Sequence, residues 1–130
     1  MPDTSRTVRD LYAAFARGDV PTVLGALAVD VSWNEAEGFP HGDTYLGPDA
    51  VLRNVFMTLD AEWDEFTVTP REFVANADTV VALGEYSATY KATGKSFTAP
   101  FVHVWKIRDG KVAAFQQHTD TAVVQRVLHS

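Results

Sequence analysis

From Ser96 to Thr119, apolar and polar side chains alternate on either side of Asp109-Gly110, and this run constrains the fold more than any other part of the chain. Alternation with a period of two marks strands that bury one face, and an Asp-Gly pair between two such runs marks a tight hairpin. His103 sits in the first run among Phe101, Val102, Val104 and Trp105. An imidazole in such surroundings is either a core histidine satisfied by its neighbours or a pocket group able to act as acid, base or hydrogen-bond donor.

The hairpin register decides which residues share a face with His103. A two-residue Asp109-Gly110 turn places His103 opposite Gln116, with His118 and Asp120 on its face. A three-residue loop, Arg108-Asp109-Gly110, with a left-handed Gly110 places it opposite Phe115. The second register groups Phe101, His103, Trp105, Phe115 and Gln117, leaves Lys106, Gln116, His118 and Asp120 on the other face, and is the expected one. The same pairing at the Thr93-Gly94 turn sets Tyr86 beside Phe101 and Gly84 beside His103, where a missing side chain leaves room for a ligand.

The remaining chain supplies helices first and strands afterwards. Val8, Leu11, Tyr12 and Phe15 recur at helical spacing, and Gly18 is a stop, so a helix is predicted over residues 5–17. Asp19 caps a second helix with Pro21 in its first turn; residues 29–35 then turn extended. Residues 36–48 read as a long loop rich in Gly, Pro, Asp and His. Pro48 opens a third helix that turns Val51, Leu52, Val55, Phe56 and Leu59 inward. Strands are predicted over 66–75, 80–91, 96–108 and 111–119, and Asp120 caps a last helix over 121–128. This order implies an α+β fold, with three N-terminal helices packed on the concave face of a curved antiparallel sheet.

Composition bounds the function. With 130 residues the chain is expected to be a single domain, residues 1–130, with one core. It has no cysteine, which excludes disulfides and thiol catalysis, and a net charge of −6 with scattered Lys and Arg argues against a nucleic-acid surface. No apolar run is long enough to span a bilayer. Its first residues lack a basic stretch followed by an apolar core, so a cytoplasmic location is expected.

Several segments together resemble one known group. They are Tyr12-Ala-Ala-Phe-Ala-Arg-Gly18-Asp19, Val31-Ser-Trp33-Asn-Glu35, Gly47-Pro48-Asp-Ala-Val51, Thr93-Gly94-Lys95, and Phe101-Val-His103-Val-Trp105 before Asp109-Gly110-Lys111. With these the chain resembles the ketosteroid-isomerase-like and polyketide-cyclase-like members of the nuclear transport factor two-like superfamily, which share a cone-shaped fold. The resemblance covers nearly the whole chain.

It implies a small-molecule pocket. Glu35 matches the isomerase carboxylate that shuttles a proton between two carbons, and a carboxyl desolvated against Trp33 has the raised pKa that a base at neutral pH needs. His103 matches the protonated acid of the isomerase oxyanion hole, where an imidazole can supply the same hydrogen bond. The isomerase's first-helix tyrosine matches Leu11, not Tyr12, and Tyr86 replaces it from the sheet. The last-strand aspartate of epoxide hydrolase and polyketide cyclases matches Gln117, which cannot exchange a proton but can orient water or a carbonyl; the arginine of the former matches Gly84. These departures argue against a steroid isomerase and against epoxide hydrolysis.

The implied function is isomerisation, cyclisation or dehydration of an apolar carbonyl compound by enolisation, with Glu35, His103 and Tyr86 as catalytic residues. The alternative is a ligand-binding or protein-interaction module of the same fold without turnover. Tyr12, Phe15, Trp33, Tyr45, Phe56, Trp63, Phe101, Trp105, Phe115 and Gln117 are the expected ligand-binding residues. No cofactor is implied. A metal site of His103, His118 and Asp120 is not expected, because the preferred register parts the two histidines. A homodimer paired through the outer sheet face, where Val102 and Val104 lie, is implied by the resemblance, with no nucleic-acid or membrane partner.

Overall fold

A computed structural model describes residues 4–129, so Met1, Pro2, Asp3 and Ser130, including the start of the segment read for a leader, lie outside the described residues. Helix α1 (Thr4–Ala16) buries Val8, Leu11, Tyr12 and Ala14 along one stripe, and packs on the sheet. Gly18, at φ +71°, ends it, and the Asp19 N–H returns to the Ala14 carbonyl at 2.9 Å. Asp19 also caps α2 (Val20–Gly25) by accepting from the Thr22 N–H. Strand β1 (Leu27–Asn34) follows, then β2 (Thr44–Leu46) and α3 (Pro48–Val51). A π-helical turn over Leu52–Phe56 joins α3 to α4 (Met57–Glu62). It buries Val55 and Phe56 side by side.

The long strands are β3 (Trp63–Asn76), β4 (Thr79–Tyr90), β5 (Ser96–Arg108) and β6 (Lys111–Thr119). Asp120 caps the last helix, α5 (Thr121–Gln125), which ends short of the predicted residue 128 in a pair of tight turns. The sheet is six-stranded, in the order β2-β1-β6-β5-β4-β3, curved and not closed. Two features were not expected: β1 pairs with β6 in parallel, and β2, hidden in the Gly- and Pro-rich stretch, adds an edge strand with Ser32 opposite Leu46. Three residues are too few to show a period, and a parallel pairing across 80 residues of chain leaves no local signature. Among the described residues no helix is long and apolar enough to cross a membrane.

Both hairpin registers differ from expectation, although the sorting of faces holds. The β5–β6 turn has two residues, Asp109 at φ +53° and Gly110 at φ +74°, as a type I′ geometry demands. Arg108 pairs with Lys111 and Ile107 with Val112, and then a bulge makes Lys106 pair with Ala114. The extra residue restores the parity of the three-residue alternative. His103 therefore lies opposite Gln117, not Phe115, with Trp105 opposite Phe115, and His118 stays on the far face. Those two histidines cannot converge on one ion.

In the β4–β5 pair, Gly84 lies opposite Phe101 and Ala82 opposite His103, so Gly84 does not open space beside the histidine. Its role is backbone approach. A Cβ there would stand 2.2 Å from the Thr69 carbonyl oxygen, 2.6 Å from Phe101 Cζ and 2.8 Å from Pro70 Cα. The β3 register shifts between Pro70 and Glu72, next to this contact, and again between Asp64 and Thr67. Bulges bend a strand, and here they lie where β3 curls over the helices. Gly84→Ala is expected to cost about 1–3 kcal/mol or more, since backbone and not a flexible side chain must yield; urea unfolding at constant m-value checks it.

Candidate active site

The concave face carries a buried polar chain inside an aromatic shell. His103 stacks on Phe101 with ring centroids 4.0 Å apart and meets the edge of Phe115 at 4.8 Å. Both of its ring nitrogens are engaged: Nδ1 with the Tyr12 hydroxyl at 2.6 Å, and Nε2 with the Tyr86 hydroxyl. The Trp105 indole N–H donates to the Tyr12 oxygen at 3.0 Å, and the Gln117 amide N–H donates to the Tyr86 oxygen at 2.9 Å. Gln117 is itself oriented, because its Oε1 accepts from the Ala36 backbone N–H at 2.9 Å. Five side chains from α1, β4, β5 and β6 thus form one chain of hydrogen bonds. Among the described residues no buried side-chain nitrogen or oxygen lacks a partner.

Glu35 stands just past the end of β1, 6% exposed. Trp33 donates its indole N–H to Glu35 Oε2 at 3.1 Å, which is the only hydrogen bond of this carboxyl among the described residues. The Trp33 ring is wedged against Phe115 at 4.0 Å and against Phe56, so the donor is fixed. Burial pushes the Glu35 carboxyl up to about 7, with the Trp33 bond opposing. Burial drives His103 the other way, down to about 3, with a smaller push from His118, so the imidazole is neutral at physiological pH. Both phenols are raised, chiefly by burial, and the charge of Glu35 adds to the effect on Tyr86.

Glu35, Tyr86, His103 and Gln117 line one cavity of about 60 Å³. That volume holds several waters but is below the roughly 300–1,000 Å³ of sites for larger ligands. Of the expected ligand-binding residues, Tyr12, Phe15, Trp33, Phe56, Trp105, Phe115 and Gln117 line it. Tyr45, Trp63 and Phe101 do not. Tyr45 bonds the His41 carbonyl on the surface, Trp63 packs with Tyr90 and Phe97, and Phe101 lies behind His103 as its stacking partner. Phe39, from the loop before β2, and Phe66 complete the aromatic wall. The strand parity of Phe66 could have signalled its place; nothing in a loop sequence signals Phe39. Phe15, Leu59, Phe66 and Val68 are the half-buried lining residues. His41, on the surface, pairs with Glu62 at 2.8 Å.

Tyr12 has a larger part than its neighbour Leu11. The sequence match put Leu11 at the isomerase tyrosine position, yet Tyr12 supplies a hydroxyl to the imidazole, and Leu11 supplies apolar wall. His103 has both nitrogens engaged, so any hydrogen bond it offers to the cavity passes through a phenol.

Comparison with known proteins places the chain in a family. The SnoaL-like domain matches residues 8–115. A solved NTF2-like protein from Burkholderia thailandensis E264 is 38% identical over the whole of both chains, with a TM-score of 0.96. TerC, co-crystallised with polyporic acid, is 28% identical over 98% of both chains, with a TM-score of 0.88. A candidate polyketide cyclase from Streptomyces antibioticus, IdmH, shares the fold at 22% identity and a TM-score of 0.78, over 98% of this chain and 99% of that one. No curated protein matches.

The raised carboxyl ties stability to pH. The neutral form of Glu35 is favoured in the fold, so its contribution is full below the unfolded value of 4.5 and is lost as pH rises through about 7. The depressed His103 acts oppositely, contributing fully above 6.5 and losing that as pH falls toward about 3. Glu35→Gln is expected to gain stability over wild type as pH rises from 4.5 to 7, by on the order of 3 kcal/mol at most. Thermal unfolding of both proteins across that window measures the difference.

Proposed function

Since the chain belongs to the SnoaL-like family, of the nuclear transport factor two-like fold, we propose that it binds an apolar carbonyl compound in the concave cavity and isomerises, cyclises or dehydrates it through an enol. The observation that carries this reading is Glu35: a desolvated carboxyl, facing the same cavity as the Tyr86 hydroxyl, with a pKa suited to proton abstraction at neutral pH. Glu35 takes a proton from the carbon next to the carbonyl, the carbonyl oxygen gains negative charge and accepts a hydrogen bond from Tyr86, and Glu35 returns the proton to another carbon. His103 positions Tyr86 and, with both ring nitrogens engaged, offers the substrate no hydrogen bond of its own. Co-crystallisation of TerC with polyporic acid supports a small organic ligand. The small cavity means that half-buried lining residues such as Phe15, Leu59 or Val68 must yield on entry.

A panel of unsaturated ketones and polyketide-like carbonyl compounds, assayed for turnover and for exchange of the α-hydrogen with solvent deuterium, tests the reading. Exchange should rise with pH through about 7 and fall on the order of 10²–10⁴-fold in Glu35→Gln. Binding without exchange in every case would overturn it and leave the second reading, a ligand-binding module. That alternative draws on Gln117, which cannot exchange a proton and which the resemblance matches to the last-strand aspartate of epoxide hydrolase and polyketide cyclases.

Two copies pair through the outer sheet face in this reading, where Val81, Leu83, Val102 and Val104 stay half-buried in the single chain. Val102→Glu should then convert a dimer into a 14.3 kDa monomer in analytical ultracentrifugation. A wild-type monomer would remove the dimer.

A further inference from the structure

The cavity of about 60 Å³ holds the reacting end of a ligand and little more, and a larger space lies beside it. A groove of about 320 Å³ runs between α1 and β3 and shares Tyr12 and Val68 with the cavity as lining. Ala13 and Ala16, exposed on α1, form one wall, and Pro70 and Phe73, half-buried on β3, form the other. Helical spacing sets Arg9, Tyr12, Ala13 and Ala16 on one stripe of α1. On β3 the register shift between Pro70 and Glu72 returns Phe73 to the face of Val68 and Pro70, and leaves Glu72, opposite Leu83, on the outer face. Two alanines keep the helix wall low, so the groove stays open.

Among the described residues Arg9 is the only charged one that lines this groove. Its guanidinium carbon lies 4.4 Å from the Phe73 ring centroid, and the group makes no ion pair or side-chain hydrogen bond among the described residues. Arg17, Arg53, Arg71 and Arg108, by contrast, each reach a carboxylate. The sequence withholds a partner: three and four residues from Arg9 along α1 stand Arg6, Ser5, Tyr12 and Ala13, none of them acidic, in a chain of net charge −6. Contact with an aromatic face places the charge without consuming its N–H donors, so the fork is left for a planar acceptor. A carboxylate fits that fork with two oxygens and balances one guanidinium with one charge, whereas a phosphate dianion stays half-compensated.

We propose that the groove between α1 and β3 is a second arm of the site, and that the ligand is an elongated apolar keto acid whose carbonyl enters the cavity while its carboxylate pairs with Arg9. This rests on the reading of the cavity as a carbonyl site and names the class of compound it takes. Of the two shared side chains, Tyr12 is held by its bonds to His103 and Trp105, so Val68 is the one that yields to join the arms. Arg9 stands three residues before Tyr12, about 4.5 Å of helix rise, so a short alkyl chain spans from the shared wall to the guanidinium. The apolar body covers alanine, proline and phenylalanine surface, and the carboxylate sets which compounds are selected.

The test is a titration of ω-benzoyl alkanoic acids of increasing chain length, and of their methyl esters, followed by quenching of Trp33 and Trp105, which both line the cavity. One chain length should bind best, and there the acid should bind on the order of tenfold tighter than its ester at low salt, with the preference shrinking as salt is raised. Arg9→Gln should abolish that preference while leaving the ester's affinity unchanged, which also reports an intact fold, and Arg9→Lys should keep part of it. Equal affinity of acid and ester at every length, a preference that survives Arg9→Gln, or no binding of any member to the wild type overturns the proposal. Exchange of the α-hydrogen on esters with no preference for the acid defeats this proposal alone; a preference for the acid without exchange on any compound supports it and defeats the enolisation reading alone.

Discussion

The concave face depends on burying one polar chain, running from the Ala36 N–H through Gln117, Tyr86, His103 and Tyr12 to Trp105, inside an otherwise apolar core. An unpaired polar group in such a place costs about 1–3 kcal/mol, so the chain is favourable only when every member has its partner. Completion needs four elements at once: α1 brings Tyr12, β4 brings Tyr86, β5 brings His103 and Trp105, and β6 brings Gln117. Helix and sheet are thereby held in one relative position. The link to Ala36 reaches beyond them to the loop that carries Phe39 over the cavity.

The sheet shape follows from the same need. Tyr86 reaches His103 although the two residues are not opposite each other, and the β4 residues facing Phe101 and His103 are Gly84 and Ala82. Their small size leaves space over β4 that the Phe101 ring and the phenol fill. Gly84 also lets β3 approach, and the β3 bulges bend that strand across α1. On the other side, the π-helical turn sets Phe56 against Phe15 and Trp33, which fixes the indole holding Glu35. A carboxyl held by one indole and otherwise facing apolar walls is left basic, whereas an imidazole saturated by two phenols is left neutral.

Much of this was legible in the residues. Alternation along β5 and β6 is strong, and both strands have the predicted ends, because bulky apolar residues recur on one face and Asp109-Gly110 allows only a tight turn. The caps at Asp19 and Asp120 follow from short side chains that accept from the next backbone N–H groups. Pairing was less legible. The bulge on β6 opposite Lys106 and Ile107 and the β3 bulges are settled by twist and packing, and no residue type announces them. Trp63, Tyr45 and Phe101 were indistinguishable in sequence from the aromatics that line the cavity, since an aromatic ring suits a core and a pocket wall equally well.

The class of fold, the sorting of His103 and Gln117 from His118 and Asp120, and the presence of Glu35 beside Trp33 are readable from the residues alone, because periodicity and local spacing act between near neighbours. Only the tertiary structure decided that Tyr12 and Tyr86, 74 positions apart, meet the two nitrogens of one imidazole. It also decided that Gln117 turns its N–H toward Tyr86, since its oxygen is claimed by a backbone group 81 residues away. The physical reason is that a hydrogen bond is directional and short-ranged. Residue types offer donors and acceptors, and only a completed fold counts them against one another.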